Sequence, residues 1–158
     1  ADWLDMNPLL SEVATDYRIK SEESIRFKYE RYYPDRPVLK VFNDILGFRS
    51  CCDDYGEVLS LVSPQLRVID MSHGKAHDDG YRGVHLYYHL DNFHYPIELQ
   101  FNTLYDRQLN NWLHDYLYKK NYPDDVGHIL REKYEHGEFF SLETFEEALR
   151  NVLSGRKK

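Results

Sequence analysis

Two kinds of apolar spacing divide the chain. Tyr105, Leu109, Trp112, Leu113 and Tyr116 recur three and four residues apart, which predicts a helix over about 103–120 with those side chains inward. Two more helices follow: one over about 123–136, opened by Pro123 and stopped by Gly137, and one over about 141–153, capped by Ser141. Near the other end, Asn7 and Pro8 start a short helix carrying Leu10, Val13, Ala14 and Tyr17. Ser21 N-caps the next helix and places Glu22 and Glu23 in its first turn, where the helix dipole favours acidic groups. That helix runs to about Tyr33, and Pro34 ends it.

The middle of the chain reads differently. Residues 45–52 (ILGFRSCC) and 66–71 (LRVIDM) predict buried strands, with a short helix over 55–63 between them. In 83–90, Val84, Leu86, Tyr88 and Leu90 share one face, which puts His85, Tyr87 and His89 on the other. In 95–102, Tyr95, Ile97, Leu99 and Phe101 oppose Glu98, Gln100 and Asn102. The short stretch around Asp91, Asn92 and Phe93 makes these two an antiparallel hairpin, so His85, Glu98 and Gln100 line one polar surface. Helices at both ends of mostly consecutive strands predict an α+β fold with a mixed, largely antiparallel sheet of about five strands, the last helices packing its other side.

Composition narrows the class. A chain of 158 residues, 42% hydrophobic and 30% charged, fits a single domain over 1–158, with a core at 17–120 and C-terminal helices at 123–153. No apolar run reaches the roughly 20 residues that span a bilayer, and no basic-then-apolar leader opens the sequence, so a soluble, cytoplasmic protein with no membrane contact is expected. Cys51 and Cys52 are adjacent, which ordinary disulfide geometry does not accommodate, and are expected as buried, reduced core residues. The net charge of −7 disfavours broad nucleic-acid binding and requires any phosphate-binding cations to be concentrated locally. Residues 17–31 meet that requirement with Arg18, Lys20, Arg26, Lys28 and Arg31.

Several constellations could carry chemistry. Lys20, Ser24 and Lys28 at i, i+4 and i+8 stack on one helix face with Arg18 just upstream, an arrangement suited to a polyphosphate; a solvated face of alternating charge is the plainer alternative. Asp44 before one strand and Glu98 within another are the minimum pair for holding Mg²⁺ with substrate phosphates and water, and Glu98 could accept a proton from an attacking hydroxyl. The alternative is a turn cap and a solvent-facing carboxylate. Tyr81, after Asp78, Asp79 and Gly80, is either a stacking platform for a base or a core aromatic that opens a strand. The eight histidines, including His73, His77, His85, His89 and His94, match no zinc spacing.

In order along the chain, the segments 18–28 (RIKSEESIRFK), 44–49 (DILGFR), 80–85 (GYRGVH) and 96–103 (PIELQFNT) resemble the RelA/SpoT nucleotidyltransferases, which make (p)ppGpp alarmones. The resemblance implies a small stand-alone synthetase, a GTP pyrophosphokinase that moves pyrophosphate from ATP to the 3′-hydroxyl of GDP or GTP and releases AMP. It implies ATP held by Arg18, Lys20, Ser24, Lys28 and Arg49, and Mg²⁺ held by Asp44 and Glu98, with Glu98 activating the acceptor hydroxyl. Tyr81 then stacks on guanine, and His85 and Gln100 lie beside the acceptor and the transferred group.

Departures fall on the acceptor side. The Pro-Lys-x-Asn-Gly-Tyr loop of the family reads Ala76-His77-Asp78-Asp79-Gly80-Tyr81 here, with Lys75 upstream as the compensating cation, and the Arg often preceding the final Thr is Asn102. Some small members of the family resemble toxins that pyrophosphorylate tRNA 3′-CCA ends or make other alarmones. A tRNA or adenine-nucleotide acceptor therefore stands as one alternative, with Arg26, Arg31 and Arg156-Lys157-Lys158 as a local basic patch, and a catalytically silent nucleotide-binding module as another. A homo-oligomer and an antitoxin partner are both compatible with the resemblance.

Overall fold

The structure, a computed structural model, describes residues 16–120 and 122–155. It contains two compact units, each assembled from separated stretches of chain. One comprises the chain up to Asp70 together with Val84–Asn102; the other comprises Met71–Gly83 together with the chain from Thr103 onward.

The first unit is built on a sheet of five strands: β1 (Asp16–Ile19), β2 (Leu46–Cys51), β3 (Leu66–Asp70), β4 (Val84–Tyr88) and β5 (Ile97–Asn102). They lie in the order β1-β2-β5-β4-β3. The β2–β5 pair is parallel and the other three pairs are antiparallel, as the mixed, largely antiparallel reading requires. Helices α1 (Glu22–Tyr32), α2 (Val38–Val41) and α3 (Gly56–Leu59) connect the early strands. Val58, Val84 and Leu86 form the buried cluster, with Cys52, Tyr55, Leu66, Leu99 and Phe101 packed against it.

Ser21 caps α1 as expected, its hydroxyl accepting the Ser24 backbone N–H at 3.3 Å. Three expectations change. Tyr17 lies not in a helix but in β1, opposite Phe48, because pairing with β2 satisfies the backbone of 16–19; the rest of the expected first helix lies outside the described residues. The helix expected over 55–63 stops at Leu59. Cys51 and Cys52 make no disulfide, but both are half-buried rather than core residues. The strand β1 and the single turn α2 had no legible pattern, since Tyr17 and Ile19 are exposed on an edge strand.

The second unit contains α4 (Leu104–Tyr116), a 3-10 turn at Tyr118–Lys120, α5 (Asp124–Glu135) and α6 (Leu142–Gly155). Leu109, Leu113, Val126, Leu130, Phe139 and Phe145 fill its core. Tyr105, expected inward, sits at the rim, where its ring stacks on Tyr134 at 4.4 Å and its hydroxyl donates to the Tyr134 carbonyl at 3.0 Å. The segment 71–83 lies against α5 backbone to backbone. Gly80 has φ +88°, and a Cβ on Gly127 would lie 1.9 Å from the Asp79 carbonyl oxygen, so only glycine fits there. Among the described residues no helix is long and apolar enough to cross a membrane.

Candidate active site

Strand register assembles the polar face of the sheet. Gly47, Glu98 and Tyr87 are direct partners across β2, β5 and β4, and Arg49, Gln100 and His85 form the adjacent row. Side chains in such rows stand about 5 Å apart, close enough to interact. Glu98 is only 5% exposed. Its Oε1 accepts the Tyr87 hydroxyl at 2.8 Å and lies 3.3 Å from Nδ1 of His85, while its Oε2 accepts Nε2 of Gln100 at 2.8 Å. Arg49 Nε in turn donates to Oε1 of Gln100 at 3.1 Å. Burial works to raise the pKa of Glu98, but His85, Tyr87 and Gln100 together outweigh it and hold the carboxyl below its ordinary range. The Tyr87 phenol is pushed upward by its own burial and by the charges of Glu98 and Asp44.

Asp44, in the turn before β2, forms a second focus. Lys20 donates to its Oδ2 at 2.5 Å, Lys28 to its Oδ1 at 3.0 Å, and the Arg18 guanidinium lies 3.9 Å away. Burial opposes ionisation of Asp44 also, and the two lysines override it, so its pKa is lowered. Lys28 reaches Asn43 as well, at 3.4 Å. Lys20, Glu23, Ser24, Phe27 and Lys28 line a cleft of about 390 Å³. Ser24 and Lys28 share a face of α1, whereas Lys20 precedes the Ser21 cap instead of lying on the helix as expected; all three line this cleft. The Ser24 hydroxyl accepts from Ser21 at 2.9 Å.

Asp44 and Glu98 suit a hard divalent cation by their chemistry. Both are held ionised, both act on the same Tyr87 phenol, and Gly47, the β2 partner of Glu98, sets no side chain against it. Among the described residues no group of three or more His, Cys, Asp or Glu forms a metal site, so a cation at this pair would take its remaining ligands from phosphates and water.

Tyr81 and Lys75 belong to the second unit. The Lys75 ammonium lies over the Tyr81 ring, 5.0 Å from its centroid, and 2.6 Å from Oδ2 of Asp79. Asp79 Oδ1 accepts the Tyr81 backbone N–H at 3.2 Å, which orients the ring's attachment. Arg82 forks onto Asp78 at 2.8 and 2.9 Å. The fully buried Arg131 donates to the Gly80 carbonyl at 2.8 Å, to Asp106 at 2.7 Å and to Asn110 at 3.0 Å, and so fixes the segment that carries Tyr81.

Sequence reasoning passed over Tyr87, Asn43 and Arg131. Tyr87 had a signal, since alternation set it on the His85 face; Asn43 and Arg131 had none, because their partners are distant in sequence.

No family model and no curated protein matches the sequence. Solved structures do match. The small alarmone synthetase 2 from Bacillus subtilis is 22% identical, with a TM-score of 0.56 over 99% of this chain and 91% of that one. The small alarmone synthetase 1 from Bacillus subtilis, bound to its product pppGpp, is 20% identical, with a TM-score of 0.55 over 90% of this chain and 78% of that one. A second structure of synthetase 1 gives 20% and 0.51 over 97% and 87%. The chain therefore has the small alarmone synthetase fold, the α+β arrangement expected from its sequence.

Proposed function

We propose that the chain is a RelA/SpoT-type pyrophosphokinase that transfers the β,γ-pyrophosphate of ATP to the 3′-hydroxyl of a guanine nucleotide, GDP or GTP, and releases AMP. The observation that supports this most is the buried Glu98 carboxylate, kept ionised by Tyr87, His85 and Gln100 within the sheet, together with Lys20, Lys28 and Arg18 gathered around Asp44 in the turn before β2. The fold shared with alarmone synthetases, one of them bound to pppGpp, supports it independently.

Lys20, Lys28 and Arg18 hold the ATP polyphosphate, exchanging their contact with Asp44 for phosphate oxygens, and Ser24 adds a hydroxyl from the same cleft. Arg18 is long enough to lay its guanidinium against the adenine as well. Asp44 and Glu98 are the residues that would hold Mg²⁺, which supplies charge neutralisation at the phosphorus under attack. Glu98 takes the proton of the 3′-hydroxyl, whose oxygen attacks the β-phosphorus; the bond to the α-phosphate oxygen breaks and AMP leaves. Gln100 keeps Glu98 in place and is itself held by Arg49, which makes Arg49 a positioning residue in addition to a phosphate ligand. Tyr81 stacks on the acceptor base.

Incubation with ATP, magnesium and, in parallel, GMP, GDP, GTP, an adenine nucleotide or deacylated tRNA tests the reading. AMP formed only with guanine nucleotides upholds it. AMP formed with tRNA or the adenine nucleotide alone replaces the acceptor, and no AMP with any acceptor leaves a nucleotide-binding module.

A further inference from the structure

The segment 71–83 contains two basic residues, Lys75 and Arg82, and two acidic ones, Asp78 and Asp79. Each base is matched to an acid: Lys75 to Asp79 at 2.6 Å and Arg82 to Asp78 through both terminal nitrogens. The same Lys75 ammonium rests over the Tyr81 ring. A nucleotide stacked on Tyr81 carries its 5′-phosphates roughly 6–10 Å from its base, about one screening length at ordinary ionic strength, and so within the field of these groups. It meets a ring face already covered by a cation and a cation already neutralised, so the segment offers no surplus positive charge to a polyphosphate tail. Each added phosphate charge is repelled by Asp79 about as strongly as it is attracted by Lys75, so lengthening the chain gains nothing from this pair.

We infer that the Asp79–Lys75 pair sets the acceptor range by charge, cancelling the preference that an unopposed lysine would give for a long 5′-phosphate chain, so that GMP, GDP and GTP bind alike. This rests on the reading of Tyr81 as the acceptor's stacking platform. Asp79 is the specificity-determining residue and Lys75 its counterweight. Asp79→Asn is an apt probe because an amide keeps the oxygen that accepts the Tyr81 N–H while removing the charge.

Equilibrium dialysis of GMP, GDP and GTP, without magnesium so that phosphate charge is unmasked, against the protein and two variants tests it. The unaltered protein binds GMP and GTP within about threefold of each other, since the paired charges cancel at this range. Asp79→Asn releases Lys75 and shifts the ratio toward GTP by about threefold or more, whereas Lys75→Met leaves Asp79 unopposed and shifts it toward GMP. Opposite shifts separate a charge effect from a folding defect, which would move both variants the same way. The inference is overturned if the unaltered protein separates GMP from GTP by much more than about threefold, if both variants shift the ratio together, or if none of the three nucleotides binds. Because dialysis needs no turnover, opposite shifts of the two variants in a protein forming no AMP would leave this inference standing and remove the pyrophosphate-transfer reading.

Discussion

Tyr87 sits directly opposite Glu98 on the neighbouring strand and donates its hydroxyl to the Glu98 carboxylate at 2.8 Å. The bond favours the ionised acid against the burial that disfavours it. Tyr87→Phe removes a donor, so the Glu98 pKa rises, and the acid-side fall of kcat moves to higher pH. Stability drops by about 1 kcal/mol, as for one lost hydrogen bond. A pH–rate profile and a denaturant titration check both effects; an unmoved acid limb would remove Tyr87 from the site.

Asp44 neutralises Lys20 and Lys28 with Arg18 nearby. Asp44→Asn therefore strengthens ATP binding in metal-free buffer while lowering turnover with magnesium by roughly 100-fold or more, as loss of a metal-holding carboxylate would. Calorimetric titration of ATP without metal, set beside steady-state rates with it, separates the two signs. Weaker metal-free binding would show that Asp44 serves only to position the cations.

Tyr81→Ala raises the acceptor KM by roughly 5- to 100-fold, the range for one lost base-stacking contact, with a much smaller change for ATP. Initial rates at varied acceptor and at varied ATP give the comparison. Equal effects on both substrates would remove the stacking role.

Asp78 is lowered from 3.8 to about 2: burial opposes this, but Arg82, the Gly80 N–H and His128 prevail. Because the folded pKa lies below the unfolded one, the stabilisation is fully present above about pH 4 and is lost as pH falls toward about 2. Asp78→Asn is therefore less stable than the unaltered protein at pH 7, and the gap narrows as the solution is taken through pH 3. Chemical unfolding at a series of pH values measures it; a constant gap would assign the loss to packing.

Much of this was legible in the sequence for physical reasons. Alternation in 83–90 and 95–102 reports which face each residue takes, and a hairpin then fixes register, so the proximity of His85, Glu98 and Gln100 followed from spacing alone. Helical spacing likewise put Ser24 and Lys28 on one face of α1, while Lys20, expected on that face, reaches the same cleft from before the Ser21 cap. The parallel β2–β5 pairing, which sets Gly47 and Arg49 beside Glu98 and Gln100, joins segments about 50 residues apart, and no local pattern encodes it. Arg131 was silent for the same reason, since its carbonyl and carboxylate partners lie on Gly80 and Asp106. Lys75 was read as a cation available to the acceptor; that it lies between Asp79 and Tyr81 depends on a turn that only the folded backbone reveals.

Pyrophosphate transfer as a single unit is the central claim, and the nucleotide left behind reports on it directly. ATP incubated with magnesium, the protein and GDP should yield AMP in a one-to-one ratio with a guanine nucleotide that has gained two phosphates at its 3′ position, and Glu98→Gln should abolish both. Formation of ADP in place of AMP, or AMP released with free pyrophosphate and unaltered GDP, would contradict the account.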